Sequence, residues 1–280
     1  MNKAYDTICK RVSIRGYDGR PVEPATLDKI SLTLRILNTG PFGNAVRLAI
    51  IDTTGEDPKM ASKLGTYGSI KGTRMFIAGV VKKGPGANED FGYCLEKAVL
   101  EATELGLATV WLGASLNRGN FEHRLNASSD EMAPAVTPIG YARSSLVLND
   151  RIIRTVIGSR KRKPHHELFF YESFSKPLDM GTAGPYAQVL EAVRLAPSAG
   201  NKQPWRIIRD NKNGAWHLYL NESKLYNSLY GEIKMQDLDM GIAICHFEVV
   251  ARELSLNGSW KIALPEIEAK KLRYVISWVE

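Results

Sequence analysis

GYCLEKAVLEATELGLATVW, Gly92–Trp111, lies in a stretch from Asp90 to Trp111 that reads as an amphipathic helix ending near Gly106, with a strand around TVWLG. Leu95, Ala98, Val99, Ala102 and Leu105 recur at three- and four-residue steps, while Glu96, Lys97, Glu101 and Glu104 fall on the other face. Gly106 is placed to close the helix in the left-handed conformation. GIAICHFEVVARELSLNGSW, Gly241–Trp260, can be laid over it without a gap, 149 residues further on. Gly92 then meets Gly241, Ala102 meets Ala251, Glu104 meets Glu253, Leu105 meets Leu254, Leu107 meets Leu256 and Trp111 meets Trp260. Helix propensity alone does not match a glycine at the start and a tryptophan at the end, so an internal duplication is favoured. A period this long does not suit a solenoid; two related halves packed like the subunits of a two-fold dimer do.

The remaining elements fall in order around these helices. The first half opens with a helix from about Lys3 to Val12 and a turn-rich stretch, GYDGRPVEP. In ATLDKISLTLRIL, Leu27, Ile30, Leu34 and Leu37 form a helical stripe that stops before the breakers of NTGPFGN. VRLAIID and MFIAGVV are short, apolar and β-branched, as strands are, and further strands are expected at TVWLG and AVTPIGYA. After the basic segment SRKRKPHHE come a helix at PYAQVLEAVRLA, a loop APSAGNKQP and a hairpin joining WRIIRD to AWHLYL across NKNG. A long helix spans roughly Asp237 to Leu256, and RYVISWV alternates as a closing strand. The halves divide at about residues 1–165 and 166–280.

Composition removes several classes of function. With 44% hydrophobic and 24% charged residues over 280 positions, the chain can bury one large core or two modest ones. The net charge of +7 is spread along the sequence, which suits a solvated basic surface or an anionic small molecule rather than nucleic acid. Cys9, Cys94 and Cys245 are too few and too scattered for a disulfide framework or a paired zinc site. Cys94 and Cys245 lie on the apolar side of the long helices, as packing thiols do. The five histidines show no metal-ligand spacing. The start lacks the apolar stretch of a signal peptide and no run of about 18 apolar residues occurs, so a soluble, cytoplasmic protein is expected. Neither GxGxxG nor GxSxG is present, which argues against a dinucleotide fingerprint or a serine elbow.

The segment with the most chemistry is APSAGNKQPWR, Ala196–Arg206. Pro197 stops a helix, Gly200 permits close approach of the backbone, and Ser198, Asn201 and Gln203 gather short polar groups in one loop. On residues alone it reads equally well as a solvent-facing connection. The segment resembles the loop of the FMN-dependent nitroreductase family, in which Ser, Asn and Gln follow a helix and lead to Pro-Trp at the next strand. Arg11, Ser13 and Arg15, with Val12 between the first two, resemble the family's opening motif of Arg, Arg, Ser, any residue, Arg; Val12 replaces its second arginine. TVWLGAS, PAVTPIGYA and SRKRKP also follow the family's order, so the resemblance covers almost the whole chain, in the tandem-repeat form of Thermotoga type.

That resemblance implies an α+β nitroreductase-like fold, with the two repeats forming a monomeric pseudo-dimer. It also implies a division of labour for FMN. Arg11 would hold the phosphate with the Arg160/Arg162 pair, and Ser13 and Arg15 would reach the ribityl chain or the pyrimidine edge. Leu112 and Gly113 would offer backbone near the flavin N5. Pro197, Ser198, Ala199 and Asn201, with Gln203 as a neighbour, would lie against the isoalloxazine and ribityl from the other repeat. The first repeat keeps Asn44 but lacks Gln-Pro-Trp, and the second has ESFSKPLD in place of the arginines, so one flavin site is expected and its twin is lost. The resemblance implies an oxidoreductase taking electrons from NADH or NADPH to a nitroaromatic, quinone or similar small acceptor. No side chain is singled out as catalytic, and no metal or membrane is involved. A specialised flavoprotein such as a reductive dehalogenase, or a flavin-binding sensor or cofactor-less scaffold without turnover, is the alternative reading.

Overall fold

The computed structural model describes residues 3–56, 70–113, 116–143, 161–223, 233–263 and 265–280. The chain divides into two compact units, Lys10–Gly158 on the one hand and Met1–Cys9 together with Ser159–Glu280 on the other. The first helix, α1 (Lys3–Lys10), thus belongs almost wholly to the unit that contains the C-terminus. Its start is held there by Glu253, whose carboxylate accepts from the backbone N–H of Ala4 at 2.8 Å. The described end of the basic segment, residues 161–163, groups with the second half of the sequence.

In the unit Lys10–Gly158, α2 (Pro24–Ile36) starts on a proline at a position where its missing N–H is not needed. Ile30 and Leu34 of the expected stripe are buried. β1 (Val46–Asp52) pairs antiparallel with β2 (Met75–Lys82) over its whole length. Gly79 in β2 is a packing requirement, since a Cβ there would stand 2.6 Å from the backbone oxygen of Arg47. The helix α3 (Ala87–Glu104) begins earlier than its apolar pattern predicts because Asn88, Glu89 and Asp90 are buried polar residues in its first turn. Gly106 follows with a φ of 81°, as expected. After α4 (Arg118–Arg124), β3 (Glu131–Met132) and β4 (Val136–Ile139) complete the sheet by pairing with β2. Phe121 of α4 closes that core edge-on to Phe76, with ring centroids 5.7 Å apart.

Two expectations fail in this unit. TVWLG is not a continuous strand: Ala108 and Leu112 bond to Gly140 and Val136, but between them the Val110 N–H goes to the Thr137 hydroxyl, which breaks the ladder. Glu96, placed on the polar face of the long helix, is fully buried. Its carboxylate accepts from Trp111 Nε1 at 2.6 Å and lies beside Arg11.

The other unit carries α5 (His165–Leu168), β5 (Phe169–Tyr171), β6 (Ser173–Pro177), α6 (Tyr186–Leu195), β7 (Trp205–Arg209), β8 (Trp216–Leu220), α7 (Met235–Glu253), β9 (Ser259–Lys261) and β10 (Arg273–Val279). The strands form one sheet in the order β6-β5-β7-β8-β10-β9, with β5 and β7 parallel and every other pair antiparallel. The hairpin across NKNG is present as expected. β5, β6 and β9 were not legible, being edge or near-edge strands of three to five residues. α6 packs on α7, and Tyr186, Trp216, Phe247, Trp260 and Trp278 form a continuous aromatic cluster between helix and sheet.

The duplication is visible in each unit taken alone. Helix, loop, antiparallel strand pair and long helix follow one another as α2, β1, β2 and α3 in one and as α6, β7, β8 and α7 in the other. Both tryptophans at the ends of the compared stretches give their indole N–H to a glutamate of the long helix, Trp111 to Glu96 and Trp260 to Glu248.

Candidate functional site

The loop after α6 is built by its own sequence. Ala196, which precedes Pro197, is forced extended with ψ near 143°, so the helix cannot continue. The chain then makes a 3₁₀ turn over Ala199–Asn201, with Gly200 at φ 56°. Asn201 and Gln203 also take positive φ, 55° and 46°, a conformation costly for residues with side chains. The strain is held by a dense set of hydrogen bonds. The Asn201 N–H donates to Ser198 O at 2.9 Å, and the Gln203 N–H to Ser198 Oγ at 2.9 Å. From α7, Asp239 Oδ1 accepts from the Ala199 N–H at 2.9 Å.

Residues 161–163 of the basic segment lie against this loop. Asn201 Nδ2 donates to Lys161 O at 2.8 Å, and Gln203 Oε1 accepts from the Lys163 N–H at 2.8 Å. Arg162 donates to Asn201 Oδ1 at 3.3 Å and to Leu195 O at 3.1 Å. Arg162 of the basic segment and Asn201 and Gln203 of the loop, taken from two stretches of the sequence, therefore form one hydrogen-bonded cluster. Pro197, Ser198 and Ala199 are half-buried beside it. Arg160 lies outside the described residues.

In the other unit the opening motif is pinned by short bridges. Ser13 pairs with Thr109, Gly16 with Lys71 and Tyr17 with Ala142, and the Ile14 N–H donates to Thr109 O at 2.9 Å. Ser13 and Arg15 are half-buried, whereas Val12 is 51% exposed. Arg11 is buried, with Nε 4.0 Å from Glu96 Oε1. Among the described residues, neither its Nε nor its Nη1 has a hydrogen-bond partner. Burial pulls the Arg11 pKa down and Glu96 opposes the shift. Leu112 commits both its N–H and its carbonyl to Val136, and the neighbouring Gly113 carbonyl accepts from Arg118.

A family model described as "Putative TM nitroreductase" matches residues 3–251. The chain belongs to this nitroreductase family. No curated protein matches the sequence. Among solved structures, a "putative nitroreductase" of Thermotoga maritima aligns with 99% of this chain and 93% of its own at 18% identity, with a TM-score of 0.62, and establishes the nitroreductase-like α+β fold. A nitroreductase family protein of Clostridium difficile 630 aligns with 59% of this chain and 94% of its own at 24% identity and a TM-score of 0.43. An FMN-dependent nitroreductase of Clostridium difficile R20291 aligns with 52% and 92% at 21% identity and a TM-score of 0.40.

Two residues of this nitroreductase-family chain that stand next to the candidate positions were not legible beforehand. Glu96 was hidden by a polar residue's presumption of exposure. Asp239 lies two positions before the compared stretch, and its counterpart 149 residues earlier is Asp90, also an aspartate; extending that comparison by two residues would have found it. Asp239 Oδ2 is buried without a hydrogen-bond partner among the described residues, and burial pushes the carboxyl pKa up to about 8. The folded chain thus keeps a proton that the unfolded chain has lost above about pH 4. Stability from this group falls as pH rises from about 4 to about 8, by up to about 1.4 kcal/mol per pH unit, and levels off above. The gap between wild type and Asp239→Asn in urea-unfolding midpoints, measured from pH 5 to 9, is expected to move in wild type's disfavour with rising pH. A constant gap would refute the protonated carboxyl.

Among the described residues, no group of three or more His, Cys, Asp or Glu is arranged to hold a metal ion, and no helix is long and apolar enough to cross a membrane.

Proposed function

We propose that this chain is an FMN-dependent oxidoreductase that passes reducing equivalents from NADH or NADPH to a small acceptor such as a nitroaromatic or quinone. The observation that carries the reading is Arg11, a buried guanidinium whose Nε and Nη1 find no hydrogen-bond acceptor among the described residues, with Glu96 4.0 Å from Nε as its ion-pair partner. Such a group suits an anion that supplies the missing acceptors, and a flavin phosphate does so with charge. Bound FMN would supply hydride transfer at N5, the chemistry that no side chain here provides.

The chain's own part is to bind and orient. Arg11 would neutralise the phosphate. Ser13 and Arg15 bond the ribityl chain or pyrimidine edge, and Gly113 lets backbone approach the ring without a side chain. Pro197, Ser198, Ala199 and Asn201 pack and bond along the ring and ribityl, with Gln203 fixing Asn201 from behind through its bond to Asn201 Oδ1 at 3.2 Å.

Only one site is proposed per chain. In the first repeat the Asn44 amide closes on its own helix and loop, donating to Asp90 Oδ2 at 2.9 Å and Pro85 O at 3.1 Å, whereas the Asn201 amide bonds the basic segment, at Lys161 and Arg162. Asn201→Ala is accordingly expected to weaken FMN binding about five- to thirtyfold, the worth of one or two hydrogen bonds. Asn44→Ala is expected to change it less than twofold. Equal effects would remove the one-site assignment.

The direct test is the visible spectrum of the purified protein after FMN addition and desalting, followed by NADH or NADPH without oxygen. About one flavin per chain that bleaches supports the proposal. Retained flavin that stays yellow with both reductants would favour a flavin-binding protein without this turnover, and no retained flavin would refute the cofactor.

A further inference from the structure

The two repeats place an aspartate under the same loop but use it differently. Asp90 on α3 and Asp239 on α7 are 149 residues apart, the offset that matches the two helices. Each accepts from a backbone N–H of the loop that precedes the strand pair, Phe42 to Asp90 Oδ1 at 2.8 Å and Ala199 to Asp239 Oδ1 at 2.9 Å. Each loop has a glycine at positive φ just after that residue, Gly43 and Gly200, and then an asparagine, Asn44 and Asn201.

At the asparagine the loops part. Asn44 closes on its aspartate with both its backbone N–H, at 2.8 Å, and its side-chain amide, at 2.9 Å, so Asp90 Oδ2 is fully used. Asn201 turns its amide away to Lys161 O, and Asp239 Oδ2 is left buried with no hydrogen-bond partner among the described residues. A cause is written in the sequence. Gly40 sits so close to Asp90 that a Cβ would stand 2.2 Å from Oδ1, and the residue in its register in the other loop is Pro197. With a proline ring there, the loop cannot settle on the carboxyl group as tightly as its twin does.

We propose that Asp239 is a positioning residue for flavin: it fixes the loop through the Ala199 N–H alone, and this single tether leaves the Asn201 amide to bond Lys161, Arg162 and Gln203 instead of closing on the aspartate as Asn44 does. The inference rests on the flavin reading above. The Asn-to-Asp closure seen in the first repeat is then the structural difference between the lost loop and the retained one.

The test compares wild type with Asp239→Leu, Asp239→Asn and Ala199→Pro, reading amide hydrogen exchange without ligand and FMN affinity by fluorescence quenching. Leucine removes the acceptor, whereas asparagine keeps a carbonyl oxygen for the Ala199 N–H. Proline removes the donor without touching the helix, and the extended Ser198 before it tolerates the change. Asp239→Leu is expected to speed exchange at Ala199 at least tenfold, and both it and Ala199→Pro to weaken FMN at least tenfold. Asp239→Asn is expected to restore protection and to stay within threefold of wild type for FMN. Unchanged Ala199 exchange in Asp239→Leu, or Ala199→Pro binding FMN like wild type, would overturn the proposal. If Asp239→Leu does not fold, Asp239→Asn and Ala199→Pro still decide it. Wild-type protein that takes up no FMN overturns the flavin reading instead, and the exchange of Ala199 then judges the tether by itself.

Discussion

Replacing Arg11 by alanine is expected to weaken FMN binding about a hundredfold or more and to destabilise the unit that carries it. The first effect follows from the loss of two charge-assisted hydrogen bonds, each worth about 1.5–3 kcal/mol. The second arises because Glu96 is fully buried and would lose the guanidinium 4.0 Å away. Removing one member of a buried pair costs about 3–5 kcal/mol, and the long separation places this pair at the lower end. The two effects separate in the double variant Arg11→Met, Glu96→Gln. Glutamine still offers Trp111 Nε1 an acceptor, and no charge is left buried, so thermal stability is expected to return while FMN affinity is not. Titration of FMN fluorescence and melting of the apoprotein read the two quantities independently. If the double variant regained FMN affinity, Arg11 would act through the fold and not on the phosphate.

Phe247→Ala is expected to cost about 3–5 kcal/mol, enough to unfold or nearly unfold its unit. Phe247 is wholly buried on α7, with ring centroids 5.3 Å from Trp260, 5.7 Å from Trp278, 5.9 Å from Tyr186 and 6.4 Å from Trp216. Its removal leaves a cavity walled by large planar groups that cannot collapse without leaving their rotamers. Trp278 is held by donating Nε1 to the Tyr186 hydroxyl at 3.1 Å, and Tyr186 in turn donates to Glu280 at 2.7 Å. Phe247→Leu fills most of the space and is expected to cost roughly a third as much. Urea unfolding followed by tryptophan fluorescence measures both. Equal costs for alanine and leucine would mean that the cluster, unlike a packed core, tolerates a void.

Much of this architecture was legible because it depends on local spacing. The stripes of α2, α3, α6 and α7, the hairpin across NKNG and the closing strand are periodic patterns that one stretch of chain carries by itself. Edge strands such as β6 and β9 carry no such pattern. Among the described residues, β6 pairs only with the short β5 and β9 only with β10, and most of their residues face solvent.

The candidate site divides along the same line. The residue types in Pro197–Gln203 and in Arg11–Arg15, and the duplication that relates the halves, were determined by sequence alone, because backbone restriction by Pro and Gly and the charge of Arg belong to single residues. Only the tertiary structure decided that Glu96 is buried beside Arg11, that Arg162 bonds Asn201, and that Asp239 and Asp90 carry their loops with different numbers of hydrogen bonds. Burial and hydrogen-bond partnership are properties of which segments meet. A glutamate on an amphipathic helix looks exposed until a distant arginine and tryptophan arrive against it, and an asparagine in a loop has no direction until the carboxyl group beneath it has been taken or left open.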